Sequence, residues 1–223
     1  MFSGYLPLLI PALLGAQLIL TLVLTKGEIC PGQRGRVHKT LPVILVGWVL
    51  VVISQPVALL PLLTLAFFAF KVKTGKTRDA GPLKMLYASD ALAFLSWVML
   101  LPAMSLPQIG LSFMAVALFG ALLAHLLLTQ ARTRLQAFHR LLPFSGFVSA
   151  ILSVLMMLWL LSGLEEQTIT AMTGDVVAAL ALLVLSLLVW SGHILLTKTV
   201  NRWQLLVATV LLTSSGVMQM AMF

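Results

Sequence analysis

The sequence predicts an all-α, polytopic bundle of membrane-spanning helices, and three observations carry that prediction. The chain of 223 residues is 61% hydrophobic and 9% charged, where a soluble domain carries roughly 25% charged residues. Its mean hydropathy is +1.09, more apolar surface than a water-soluble fold of this length can bury. All 14 Lys and Arg residues fall in four short gaps between apolar stretches. Short loops rich in Lys and Arg mark the cytoplasmic side of a membrane. The net charge of +8 therefore reads as topology and lipid-headgroup contact, not as a nucleic-acid footprint. The whole chain, 1–223, reads as a single integral membrane domain.

The segments follow in order. Residues 4–24 are the first span. No basic region precedes them and no small-x-small cleavage site follows, so they read as a retained helix and not a signal peptide. The first cationic gap, 25–40, holds Lys26, Arg34, Arg36 and Lys39. Residues 41–70 are one apolar run. As one helix of 30 residues it would be about 45 Å long, too long for a hydrocarbon core of about 30 Å. Broken at Ser54-Gln55-Pro56, where proline removes a donor and ends a helix, it becomes a hairpin of two short helices. That break keeps every Lys and Arg on one side. Each half is short for a crossing, so the turn needs local thinning of the bilayer or burial against protein. The second gap, 71–84, carries Lys71, Lys73, Lys76, Arg78 and Lys84.

Spans at 85–105, 111–129, 142–163, 175–197 and 203–222 complete the count. Cationic gaps lie at 130–141 (Arg132, Arg134, Arg140) and 198–202 (Lys198, Arg202), while 106–110 and 164–174 carry no Lys or Arg. Glu165 and Glu166 sit in the last of these as a solvated outer segment. The expectation is eight segments with both termini on the outer side. The alternative is seven, with 41–70 unbroken.

Ionisable residues at membrane depth are costly and are the first places to look for function. Asp90, His125 and His193 all fall toward the cytoplasmic leaflet. They form a candidate shared site, with two imidazoles as ligands of a b-type haem or an Asp/His pair handling quinone protons. The structural reading of the same residues is snorkelling histidines and an aspartate paired with a loop cation. His38 and His139 lie in basic gaps and read as headgroup contacts. The single cysteine, Cys30, excludes an internal disulfide and any thiolate cluster. The sequence holds no nucleophile elbow, no phosphate-cradling glycine loop and no His-rich metal motif. A metal site is not expected, and neither is a catalytic residue. Ser191-Gly192-His193 and Ser214-Ser215-Gly216 only superficially suggest an intramembrane serine protease. No inverted pair of broken helices points to a secondary transporter.

Several strings resemble a known family along nearly the whole chain. They are Leu8 to Glu28 with Gly15-Ala-Gln17, Gly47-Trp-Val-Leu50, Phe119-Gly-Ala-Leu-Leu-Ala-His125, Phe138-His-Arg-Leu-Leu-Pro143, and the helix ending at Gly163-Leu-Glu165. They are similar to the DmsC-type membrane anchor of the dimethyl sulfoxide reductase family. The resemblance implies an eight-helix anchor in the bacterial inner membrane. Its expected partners are an iron–sulfur subunit and a molybdopterin catalytic subunit, with menaquinone or ubiquinone as the exchangeable cofactor and electron transport in anaerobic respiration as the setting. The family's longer outer connection between its second and third helices carries a His and a Glu for quinol. Here that connection is Ser54-Gln55-Pro56, so those residues are not carried over. A stand-alone transporter or lipid-handling protein, and a b-type cytochrome using His125 and His193, remain as alternatives.

Overall fold

The computed structural model describes residues 6–72, 80–132 and 136–222. Lys73, Lys76, Arg78 and Arg134 lie outside the described residues. The described chain is an all-helical membrane bundle: α1 (Leu6–Lys26), α2 (Pro31–His38), α3 (Leu41–Val52), α4 (Leu59–Lys71), α5 (Leu83–Val98), α6 (Leu106–Gln130), α7 (Gln136–Ser162), α8 (Glu166–Leu195) and α9 (Arg202–Met222). Counting Pro31–Val52 as one passage, seven helices are long and apolar enough to cross a membrane. Pro56–Lys71 is a shorter apolar one.

The apolar run at 41–70 is a hairpin. Val52 ends α3, a 3-10 turn covers Pro56–Ala58, and α4 begins at Leu59. The turn is anchored to protein: the Gln55 side-chain amide donates to the Ser96 carbonyl near the end of α5 (3.0 Å), and Ala58 is buried. That contact meets the requirement for irregular backbone at membrane depth. The ascending arm is longer than the apolar pattern implies. Residues 31–38 of the first cationic gap are helical, with Pro31 at the first position where its missing N–H costs nothing, and α2 bends into α3 at Lys39–Thr40.

Other boundaries move outward for the same reason: polar residues at helix ends are capped or solvated, not excluded. The expected outer gap 106–110 is the first turn of α6, where Gln108 Oε1 accepts from the Ser105 N–H (2.8 Å). That contact is the reciprocal half of a capping box. Most of 164–174 belongs to α8, with Glu166 in its first turn, where the helix dipole favours an acid.

α1 is the axial element. It packs most extensively on α6 and also on α5 and α3. Gly15 of α1 and Gly120 of α6 face each other so closely that a Cβ on Gly120 would lie 2.5 Å from Gly15 Cα. Small residues at a crossing permit backbone approach where lipid supplies no hydrophobic drive between helices. Trp48, Trp190, Phe68, Ile10 and Leu14 are among the fully buried side chains. Phe70, Phe144, Ile53 and Leu195 stay exposed, as lipid-facing positions require.

Candidate functional site

Three polar features lie inside the bundle, and the residues singled out in the sequence divide among them. The first is a network near mid-height of α1, α3, α4 and α5. Trp48 Nε1 donates to Gln17 Oε1 (2.9 Å). Indole N–H is only a donor, so this bond fixes the orientation of the Gln17 amide. Gln17 Nε2 then donates to Asp90 Oδ1 (2.9 Å) and to Ser89 Oγ (3.0 Å). Ser89 Oγ in turn donates to the Pro61 carbonyl (3.1 Å). Gln17, Ser89, Asp90 and Trp48 are all buried.

The second feature ties α6, α7 and α8 together at the end that carries the cationic loops. His125 Nδ1 accepts from Trp190 Nε1 (2.8 Å). Neutral His125 therefore carries its proton on Nε2, which faces His139 Nδ1 at 2.9 Å. His193 Nδ1 lies 2.9 Å from the Trp190 carbonyl and Nε2 lies 3.2 Å from the His139 carbonyl. The Trp190 ring occupies space that a side chain at position 146 would fill, so Gly146 makes room for it.

The structure thus joins His125 to His193, with ring centroids 5.5 Å apart at 69°. It places Asp90 elsewhere, in the Gln17 network. The expected three-residue site is corrected on that point. The expected snorkelling of His125 and His193 is also corrected: both are buried. The reason is the partner of each group: the tryptophan N–H that satisfies His125 comes from α8, the amide that satisfies Asp90 from α1. The proposed cation partner of Asp90 is absent among the described residues. Two further corrections concern the other histidines. His139 belongs to α7 and contacts His125. His38 is fully buried, edge-on to Phe68 at 5.7 Å, with no hydrogen-bond partner on either ring nitrogen. Both lie on helix extensions that the cationic residues beside them concealed.

The arrangement does not fit a b-type haem. A bis-imidazole haem needs one nitrogen of each ring aimed at a common iron between them. All four ring nitrogens of His125 and His193 instead meet protein atoms, and the rings meet edge to face. Among the described residues no group of three His, Cys, Asp or Glu side chains could hold a metal ion. Ser191 and Ser215 donate to the helix carbonyls of Leu187 and Ala179, so neither is an activated nucleophile.

The third feature was not visible in the sequence. A cavity of about 390 Å³ opens at the end opposite the cationic loops, between the start of α1, the 101–104 turn, the first half of α6 and the end of α9. Leu111, Leu118, Phe119 and Leu212 give it apolar walls, and Gln108, Ser112, Ser215 and Gln219 give it polar points. Trp97 Nε1 donates to Ser112 Oγ (2.9 Å), which leaves the Ser112 hydroxyl proton and the Gln108 amide N–H groups as donors. Among the described residues no ionisable side chain lines the cavity, and Asp90, His125 and His193 are not part of it. Chemically it can hold and orient a neutral polar head on an apolar body. Its described walls offer no side chain that takes up a proton.

The comparisons with known proteins agree with the architecture. A family model described as an integral membrane domain matches residues 3–221. An uncharacterized protein of Haemophilus influenzae is 37% identical over 166 residues, which cover 68% of this chain and 61% of that protein. The chain thus spans under two thirds of that relative's length. No solved structure matches the chain. Matched along almost its entire length, the chain belongs to this family of integral membrane domains.

Proposed function

We propose that this chain is a quinone-binding membrane anchor subunit of a respiratory molybdopterin/iron–sulfur oxidoreductase in the bacterial inner membrane. The observation that carries the reading is the uncharged cavity at the outer helix ends. Ligand sites of this kind are apolar clefts of roughly 300–1,000 Å³ with a few placed polar groups, and this one measures about 390 Å³. A quinone has two carbonyl oxygens and an isoprenoid tail. Ser112 and Gln108 supply donors for an oxygen, and Leu111, Leu118 and Phe119 supply apolar walls. Electrons would reach this site from clusters held by a partner, because one cysteine cannot bind an iron–sulfur cluster. The resemblance to DmsC-type anchors supports the same assembly.

A second reading is favoured by one observation. Among the described residues the cavity has no ionisable wall residue, so none of them takes the protons that quinol oxidation releases. A stand-alone lipid-handling protein needs no such group. Purification of the tagged chain from its own membrane in mild detergent separates the readings. The anchor reading expects an iron–sulfur protein, a molybdenum-containing subunit and an extractable quinone that is lost in Ala115→Trp, which fills the cavity. A metal-free lone chain holding phospholipid would overturn it in favour of lipid handling.

A further inference from the structure

Asp90 presents a charge problem that neither the cavity nor the histidine cluster explains. Its carboxyl lies seven residues into α5, about 10 Å of helix rise from its start, and is buried between α1 and α5. The hydrogen bond it receives comes from the neutral Gln17 amide, and that amide is shared with Ser89. The Thr21 hydroxyl, one turn on from Gln17, is buried beside the same carboxyl and makes no well-directed hydrogen bond. Among the described residues, the charged and titratable groups on the surrounding elements are Lys26 of α1, Arg34, Arg36 and His38 of α2, Lys71 of α4, and Lys84 and Tyr87 of α5. None makes a hydrogen bond to Asp90, and all but Tyr87 lie toward the helix ends that carry the cationic loops. An unpaired carboxylate in a low-dielectric interior is strongly unfavourable.

The geometry points to an exchangeable cation site at Asp90, in which a proton or a sodium ion neutralises the carboxylate among the oxygens of Ser89 and Thr21. Gln17 is a positioning residue. Trp48 locks its amide so that N–H groups, not the carbonyl oxygen, face the carboxyl, which leaves the hydroxyls as the oxygen donors for a cation. Hard monovalent and divalent cations prefer such oxygen ligands, and a proton needs only the carboxyl itself. The site is separate from the outer cavity, so it stands whether or not a quinone binds there.

Dicyclohexylcarbodiimide, which adds to protonated carboxyls in apolar surroundings, tests the site on the full-length chain in liposomes. Mass spectrometry of the peptide containing Asp90 reads the adduct, and infrared difference spectra between mildly acidic and mildly alkaline pH read the carboxyl C=O band. The expected result is an adduct at Asp90 that grows as pH falls, and an infrared band that disappears in Asp90→Asn. If replacing potassium by sodium chloride removes the adduct, the exchangeable ion includes sodium. If sodium changes nothing while pH does, the ion is the proton. The Asp90→Asn side chain can still accept from Gln17, so the variant keeps the network and the comparison stays valid. No adduct together with an infrared spectrum unchanged in Asp90→Asn would overturn the site and leave Asp90 as a fixed structural group.

Discussion

Replacing Gly120 by alanine adds one methyl group at the α1–α6 crossing, and the structure sets the size of the effect. The new Cβ would lie 2.5 Å from Gly15 Cα, 2.7 Å from Gly15 C and 2.9 Å from Ala16 N. Carbon pairs are comfortable at about 3.5–4.0 Å. All three obstacles are backbone, so no rotamer change relieves the clash, and the helices must part by roughly 1 Å. A gap of that size forfeits about a quarter to a half of the dispersion energy of the contacts it opens. Overpacking of this kind costs about 1–3 kcal/mol, and the upper end applies here because α1 also carries Gln17 two residues beyond Gly15. The same substitution at Gly174 of α8 meets no atom within 4 Å and gains helix propensity of up to about 1 kcal/mol. One chemical change is thus expected to have opposite signs at two glycines. Unfolding in mixed micelles of rising sodium dodecyl sulfate, followed by tryptophan fluorescence, measures both. Midpoints for Gly120→Ala and Gly174→Ala within about 0.5 kcal/mol of each other would refute the close-packed crossing.

Gln17→Leu removes the donor to Asp90 and Ser89 and the acceptor of Trp48. Each buried group left without a partner costs about 1–3 kcal/mol, so a loss of about 2–5 kcal/mol is expected in the same unfolding assay. His125→Leu orphans the Trp190 N–H, with an expected cost of about 1–3 kcal/mol and a change in tryptophan emission. The pure wild-type protein is expected to lack a haem Soret band, and absorbance spectroscopy checks this. Cys30 is the one cysteine and is exposed. An impermeant maleimide should label it only from the cytoplasmic side, while Ser54→Cys in a Cys30→Ser background should label only from the opposite side. Labelling of Cys30 from the outer side, with Ser54→Cys unlabelled from either side, would remove the hairpin and leave seven crossings with 41–70 unbroken.

The helical membrane architecture was legible because lipid imposes a one-dimensional rule. Apolar runs of sufficient length must be helical, and Lys and Arg gather in the gaps. Even the hairpin at Ser54-Gln55-Pro56 followed from proline and from the sidedness of charge. Helix ends were less legible. Residues 31–38, 106–110 and 166–174 are polar enough to read as loops, yet they extend helices because their polar groups cap a terminus or meet solvent. His139 was misplaced for this reason, and so was His38.

By itself the sequence determined the solvent and most of the helical structure, since each depends on local composition. Which buried polar groups meet was decided only by tertiary structure. Asp90 and His125 look equivalent along the chain, but helix rotation gives one to Gln17 and the other to Trp190 and His139. The outer cavity has no local signature either. Its walls come from residues more than 200 positions apart, Leu8 and Gln219 among them, and an empty space between helices exists only once those helices have packed.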